Sequence, residues 1–231
     1  MTLESEIREE LKWFGHASFL LEDKVNKNNI YYLDPFDLKF MPKEKADVIF
    51  ITHAHFDHFS PKDIEKVATK ETLIFGVRGC ESLKKTFGER FCIVEPGENF
   101  EIKGIQIRTV PAYNIAKDRL NYHPKENKWV GYIIDVNNKK VYHAGDTDFI
   151  PEMRQLGPLD VAMLPIGGTY TMTVEEAIEA ANVIRAKVTI PIHYKRLLEG
   201  RYREAEEKFR KGVRGTVLLL EEYSEAGHHN F

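Results

Sequence analysis

The chain has 231 residues, 42% hydrophobic and 30% charged, which is enough for one sizeable core. A formal net charge of −3 leaves no basic stripe and argues against nucleic acid as a partner. No apolar run is long enough to span a bilayer, and the charged N-terminal dozen residues do not read as a signal peptide, so a soluble cytoplasmic protein is expected.

In chain order, residues 1–12 look helical, and strand-like runs follow at 12–22, 30–34 and 48–52. Ser60 and Pro61 then read as an N-cap and first helical residue, with Asp63 in the acidic slot, opening a helix over 61–68. Strands at 73–75 and 91–94 flank a helix over 79–88. Strand runs follow at 99–111, 128–136 and 139–143, the last two joined by Asn137-Asn138, residues that tolerate a tight hairpin turn. A helix over 149–156, strands at 161–164, 188–192 and 215–220, and helices over 173–184 and 202–211 complete the pattern. Thr173 and Glu176 form a capping-box signature, and the charges from Lys195 to Arg214 alternate in sign, as on a solvated helix face. Strands in two blocks, each followed by helices, suit an α/β chain of two packed mixed sheets with helices on the outer faces, as one domain over 1–231. The last residues, 227–231, read as a tail. Cys80 and Cys92 show no paired metal spacing and need no disulfide.

Four potential metal ligands fall within six residues: His53, His55, Asp57 and His58. The protein has only nine histidines, and imidazole and carboxylate are the ligands of zinc and similar ions. On a helix, positions 53 and 55 would diverge; on extended chain, residues two apart point the same way. The apolar run 47–51 before the cluster and the helix start after it put the ligands in a strand-to-helix turn.

The segment His53-Ala54-His55-Phe56-Asp57-His58 resembles the H-x-H-x-D-H signature of the metallo-β-lactamase-fold hydrolases. Tyr31-Tyr32-Leu33-Asp34-Pro35, Tyr142-His143-Ala144-Gly145-Asp146-Thr147 and Ile190-Pro191-Ile192-His193-Tyr194 extend the likeness in the right order. Trp13–Ser18 and Pro111-Ala112-Tyr113 are similar to the small single-domain branch, relatives of ascorbate-6-phosphate lactonase and N-acyl-phosphatidylethanolamine phospholipase D. The resemblance implies an αββα sandwich and two divalent metal ions, Zn or Mn with Fe possible. It implies that His53 and His55 hold one ion, that Asp57, His58 and His193 hold the other, and that Asp146 bridges them. A hydroxide between the ions would cleave a phosphodiester, lactone or related small ester, with Asp57 and Asp146 as catalytic groups. The expected substrate is a small anionic molecule, and a homo-oligomer is compatible with the sequence.

One position departs from the family pattern. Asn114 stands where those relatives carry a histidine that completes the first site, and a neutral amide is a poor zinc ligand. His123 is the favoured substitute; the alternative makes it a surface or substrate-contacting residue. Asp34 and His16 are expected to support ligands through hydrogen bonds rather than to ligate, and Asn114 joins them if His123 binds metal. His143 reads as structural. Tyr113 and Tyr194 could meet substrate or simply pack. The loop Gly167-Gly168-Thr169-Tyr170 could offer a helix N-terminus to an anion or be a plain turn. Two other classes stay open: a metal-binding protein of the same fold without turnover, and an iron-dependent oxidoreductase.

Overall fold

The computed structural model describes residues 2–26 and 28–224; the tail read at 227–231 lies outside them. The chain forms two compact units, Met1–Ile93 with Leu220–Phe231, and Val94–Leu219.

In the first unit, α1 (Leu3–Glu10) precedes a six-stranded mixed sheet. Its order is β1 (Leu11–Trp13), β2 (Phe19–Asp23), β3 (Asn29–Leu33), β4 (Val48–Phe50), β5 (Leu73–Gly76) and β6 (Phe91–Ile93). β1 to β3 are antiparallel, and β3 to β6 are parallel. The run 12–22 is therefore two strands rather than one. Gly15 and His16 take left-handed backbone (φ 97° and 52°), which reverses the chain between Phe14 and Ser18. α2 (Pro61–Val67) starts as expected, with Ser60 accepting from the Asp63 N–H. The helix expected over 79–88 is mostly 3-10 turn around the short α3 (Lys84–Phe87).

The second unit holds a seven-stranded sheet. Its strands are β7 (Asn99–Ile102), β8 (Ile105–Pro111), β9 (Val130–Val136), β10 (Lys139–His143), β11 (Val161–Pro165), β12 (Val188–Ile192) and β13 (Thr216–Val217), adjacent in that order. β7 to β10 are antiparallel and β10 to β13 parallel. The run 99–111 splits at Lys103-Gly104, both left-handed, because two successive positive φ values close a tight hairpin. Asn137 and Asn138 do the same between β9 and β10, as their residue types suggested. β11 and β12 are buried at every position, as parallel strands covered on both faces must be. α4 (Val174–Ile184) carries the full Thr173–Glu176 capping box and buries Ala177, Ala180, Ala181 and Ile184. The short α5 (Lys195–Leu198) was not foreseen; α6 (Tyr202–Gly212) buries Ala205 and Phe209 under a charged outer face. Over 149–156 the chain is a 3-10 helix (Pro151–Gln155) instead of an α-helix. Both cysteines are free. Among the described residues no helix is long and apolar enough to cross a membrane.

Candidate metal centre

Parallel strands offer their carboxyl ends to ligands. In the first unit β3 and β4 lie side by side, so Asp34 and the Thr52–His58 segment emerge together. Asp34 has left-handed backbone (φ 43°), which turns its carboxylate back toward β4. There Oδ1 accepts from the Thr52 N–H at 2.8 Å, and Oδ2 accepts from the Thr52 hydroxyl at 2.6 Å and from His58 Nδ1 at 2.7 Å. Thr52 has spent its one hydroxyl hydrogen on Asp34, so its oxygen accepts from His53 Nδ1, 3.0 Å away. One carboxylate thus sets two imidazoles. Both carry hydrogen on Nδ1, which leaves Nε2 as the nitrogen that could hold a cation.

The loop itself is a tight turn in which His55 O accepts from the His58 and Phe59 N–H groups. It brings the His53 ring to 4.0 Å from that of His58 and 4.8 Å from that of His55. Gly79 lies so close that a Cβ there would sit 2.6 Å from Ala54 Cβ. His16 Nε2 lies 2.9 Å from Asp57 Oδ2. Phe56, between two candidate ligands, is 78% exposed and packs its ring on Phe36.

In the second unit Asp146 follows β10 and His193 follows β12, each at the carboxyl end of a parallel strand. His193 is the residue after the strand, with left-handed backbone (φ 56°). Asp146 Oδ2 stands 3.0 Å from His193 Nε2 and 3.3 Å from His123 Nε2, with all three side chains buried. Gly167 permits this approach: a Cβ there would come within 2.3 Å of His193 O. His123 is therefore not a surface residue. Asn114 supports it, since Oδ1 accepts from His123 Nδ1 at 2.7 Å.

His143, Tyr194 and Tyr113 each have partners within the second unit. His143 Nδ1 accepts from the Gly145 N–H and so shapes the turn before Asp146. Tyr194 is buried and donates to Glu206; Tyr113 is buried, with its hydroxyl between Glu152 and Lys125. The N-terminus of α4 carries its own capping box, in which the Thr173 side chain accepts from the Glu176 N–H.

Sequence reasoning missed Thr52, Asp148 and Arg119, and read Glu176 only as a helix cap. Asp148 lies two residues beyond Asp146 and is buried; Arg119 is buried too, and its charge meets Asp148 at 3.0 Å and both oxygens of Glu176 at 2.7 and 2.8 Å. Burial works against the Arg119 cation, but the Glu176 hydrogen bond and the Asp148 charge outweigh it and raise its pKa. Burial likewise opposes the Glu176 charge, yet the Arg119 bond keeps its pKa below the usual glutamate value. Adjacency to Asp146 was a usable signal for Asp148; nothing local marks Arg119.

The family model for the Beta-lactamase superfamily domain matches residues 10–193. The chain belongs to the metallo-β-lactamase-fold hydrolase superfamily. It is 34% identical over 194 residues to a UPF0173 metal-dependent hydrolase of Thermoplasma volcanium, covering 79% of this chain and 82% of that one. It is 33% identical over 223 residues to another from Thermoplasma acidophilum, covering 91% and 94%. Among solved structures, a protein described as a metal-dependent hydrolase from Parabacteroides distasonis is similar, with a TM-score of 0.76, 33% identity, and coverage of 92% and 93%. A metallo hydrolase of Ignicoccus hospitalis gives 0.72 and 26%, covering 93% and 95%. The fold class is α/β, that of the metallo-β-lactamase superfamily.

Proposed function

We propose that the protein is a metal-dependent hydrolase that cleaves a phosphodiester, lactone or related small ester, as the names of its relatives suggest for the reaction class. The observation that carries the reading is Asp146 Oδ2 with two imidazole nitrogens at 3.0 and 3.3 Å. Tetrahedral bonds of about 2.0–2.1 Å to a cation such as zinc separate ligand atoms by roughly 3.3 Å, so the donor set fits a metal. In the first unit the proposed ligands are His53, His55, Asp57 and His58; in the second they are Asp146, His193 and His123. The family match runs across both units, which supports one hydrolase domain over 1–231.

Two divalent cations, Zn or Mn, would polarise the scissile group and supply a water-derived nucleophile at neutral pH. The chain's own residues prepare for this. Asp34 holds His53 and His58 in the tautomer that presents Nε2, directly in one case and through Thr52 in the other. Asp57, steadied by His16, is assigned the proton of the attacking water, which it passes toward the leaving group. Phe56 is assigned to the substrate. A small, anionic substrate in the cytoplasm is proposed.

Elemental analysis and an ester panel test the reading. Purified protein should retain divalent metal, hydrolyse bis(p-nitrophenyl) phosphate or a lactone with Mn²⁺ or Zn²⁺, and lose turnover in Asp57→Ala. Bound metal with no turnover on any ester would overturn it in favour of a binding protein.

A further inference from the structure

The loop between Asn114 and His123 is folded around a buried carboxylate that no expected role includes. Asp148 Oδ2 accepts from the backbone N–H groups of Ile115 (2.8 Å) and Ala116 (2.9 Å). Its Oδ1 accepts from Asn114 Nδ2 at 3.0 Å and faces Arg119 Nε at 3.0 Å. Its own N–H donates to Tyr113 O, and the Asn114 N–H donates to His123 O at 2.8 Å, closing the loop at its ends.

These contacts leave the Asn114 amide one orientation. Both hydrogens of Nδ2 go to groups that can only accept, Asp148 Oδ1 and Tyr170 O (3.1 Å). The amide oxygen must then face His123, where it too can only accept. So His123 carries a hydrogen on Nδ1, and Nε2, which faces Asp146, is the nitrogen left to hold a cation. A flipped amide would set Oδ1 against the Asp148 carboxylate and against the Tyr170 carbonyl, two repulsions in a buried site.

We infer that Asp148 is a positioning residue for metal capture: acting through Asn114, it fixes the tautomer and direction of the His123 imidazole, with Arg119 as its counter-ion. This deepens the hydrolase reading and rests on it only for the metal. The relay parallels the one in the first unit, where Asp34 reaches His53 through Thr52. In both, a buried acid sets an imidazole through an intervening polar side chain. Hydrogen-bond partners of this kind are worth about 10–100-fold in metal affinity.

The test begins on metal-free protein labelled with ¹⁵N-histidine, so that it needs neither cation nor substrate. Long-range ¹H–¹⁵N spectra, with the His123 signals assigned by their absence in His123→Ala, should show a hydrogen held on Nδ1. Asn114→Leu, close in volume, should lose that pattern and bind Zn²⁺ about 10–100-fold more weakly in chelator competition. Asp148→Asn should do the same; if it fails to fold, Asn114→Leu decides alone. A His123 Nδ1 without hydrogen in the parent protein, or Zn²⁺ affinity within threefold of the parent in a folded Asn114→Leu, overturns the inference. Either result leaves the hydrolase reading intact. Absent ester turnover with the tautomer as stated would sink only the hydrolase reading.

Discussion

Asp34 Oδ2 and His58 Nδ1 meet at 2.7 Å with both side chains wholly buried, and the same oxygen receives the Thr52 hydroxyl. A carboxylate in that place makes the ring a stronger ligand and fixes which nitrogen is offered. Asparagine tolerates the left-handed backbone at this position, so Asp34→Asn removes charge with little strain. The variant should fold and bind Zn²⁺ or Mn²⁺ about 10–100-fold more weakly. Chelator competition measures this; unchanged affinity would show that Asp34 serves only the fold.

Gly167→Ala places a methyl group 2.3 Å from His193 O, well inside contact distance. Backbone must move to relieve it, and the backbone nearest is that of a proposed ligand. A loss of about 1–3 kcal/mol is expected in denaturant unfolding, together with lower metal content by elemental analysis. An intact metal content at reduced stability would separate His193 from the metal.

Glu176 sits below its ordinary pKa in the folded protein because, against the cost of burial, Arg119 favours its charge. The unfolded chain then binds more protons between the two pKa values, so stability rises with pH there. The contribution is complete above about pH 4.5, the unfolded value, and fades as pH falls through the folded one. Glu176→Gln should therefore be less stable than the parent at pH 7, and the difference should shrink on acidification through that window. Thermal unfolding followed from pH 7 to pH 3 checks it; a difference that does not change with pH would refute it.

Phe56 is exposed beside two proposed ligands, and an exposed ring adds little to stability. Phe56→Ala should change unfolding free energy by less than about 0.5 kcal/mol and leave metal content intact. It should raise KM for an aryl ester severalfold at nearly constant kcat, the signature of lost uniform binding. An unchanged KM would remove Phe56 from the substrate path.

Much of this site was legible before any coordinates. The cluster from His53 to His58 stands out because ligand residues crowd one strand-to-helix turn, and local spacing settles which elements surround it. Asp146 and His193 needed the order of motifs along the chain, since each alone is an unremarkable turn or strand residue. The cap at Ser60, the box at Thr173 and Glu176, and the Asn137-Asn138 turn depend on contacts a few residues apart, so composition nearly determines them. The long runs 12–22 and 99–111 were misjudged as single strands, because apolar patterning does not register a two-residue reversal in left-handed backbone.

Residue order by itself determined the superfamily, much of the strand and helix succession and the principal candidate ligands. Only tertiary structure decided that His123 reaches Asp146, that the Asn114 amide oxygen faces the His123 ring, and that Asp148 and Arg119 stand behind both. The reason is range: Asn114 and Asp148 are thirty-four positions apart, as are Tyr113 and Thr147, which meet beside them. Hydrogen bonds across such distances depend on strand register and chain reversal, which no local pattern encodes.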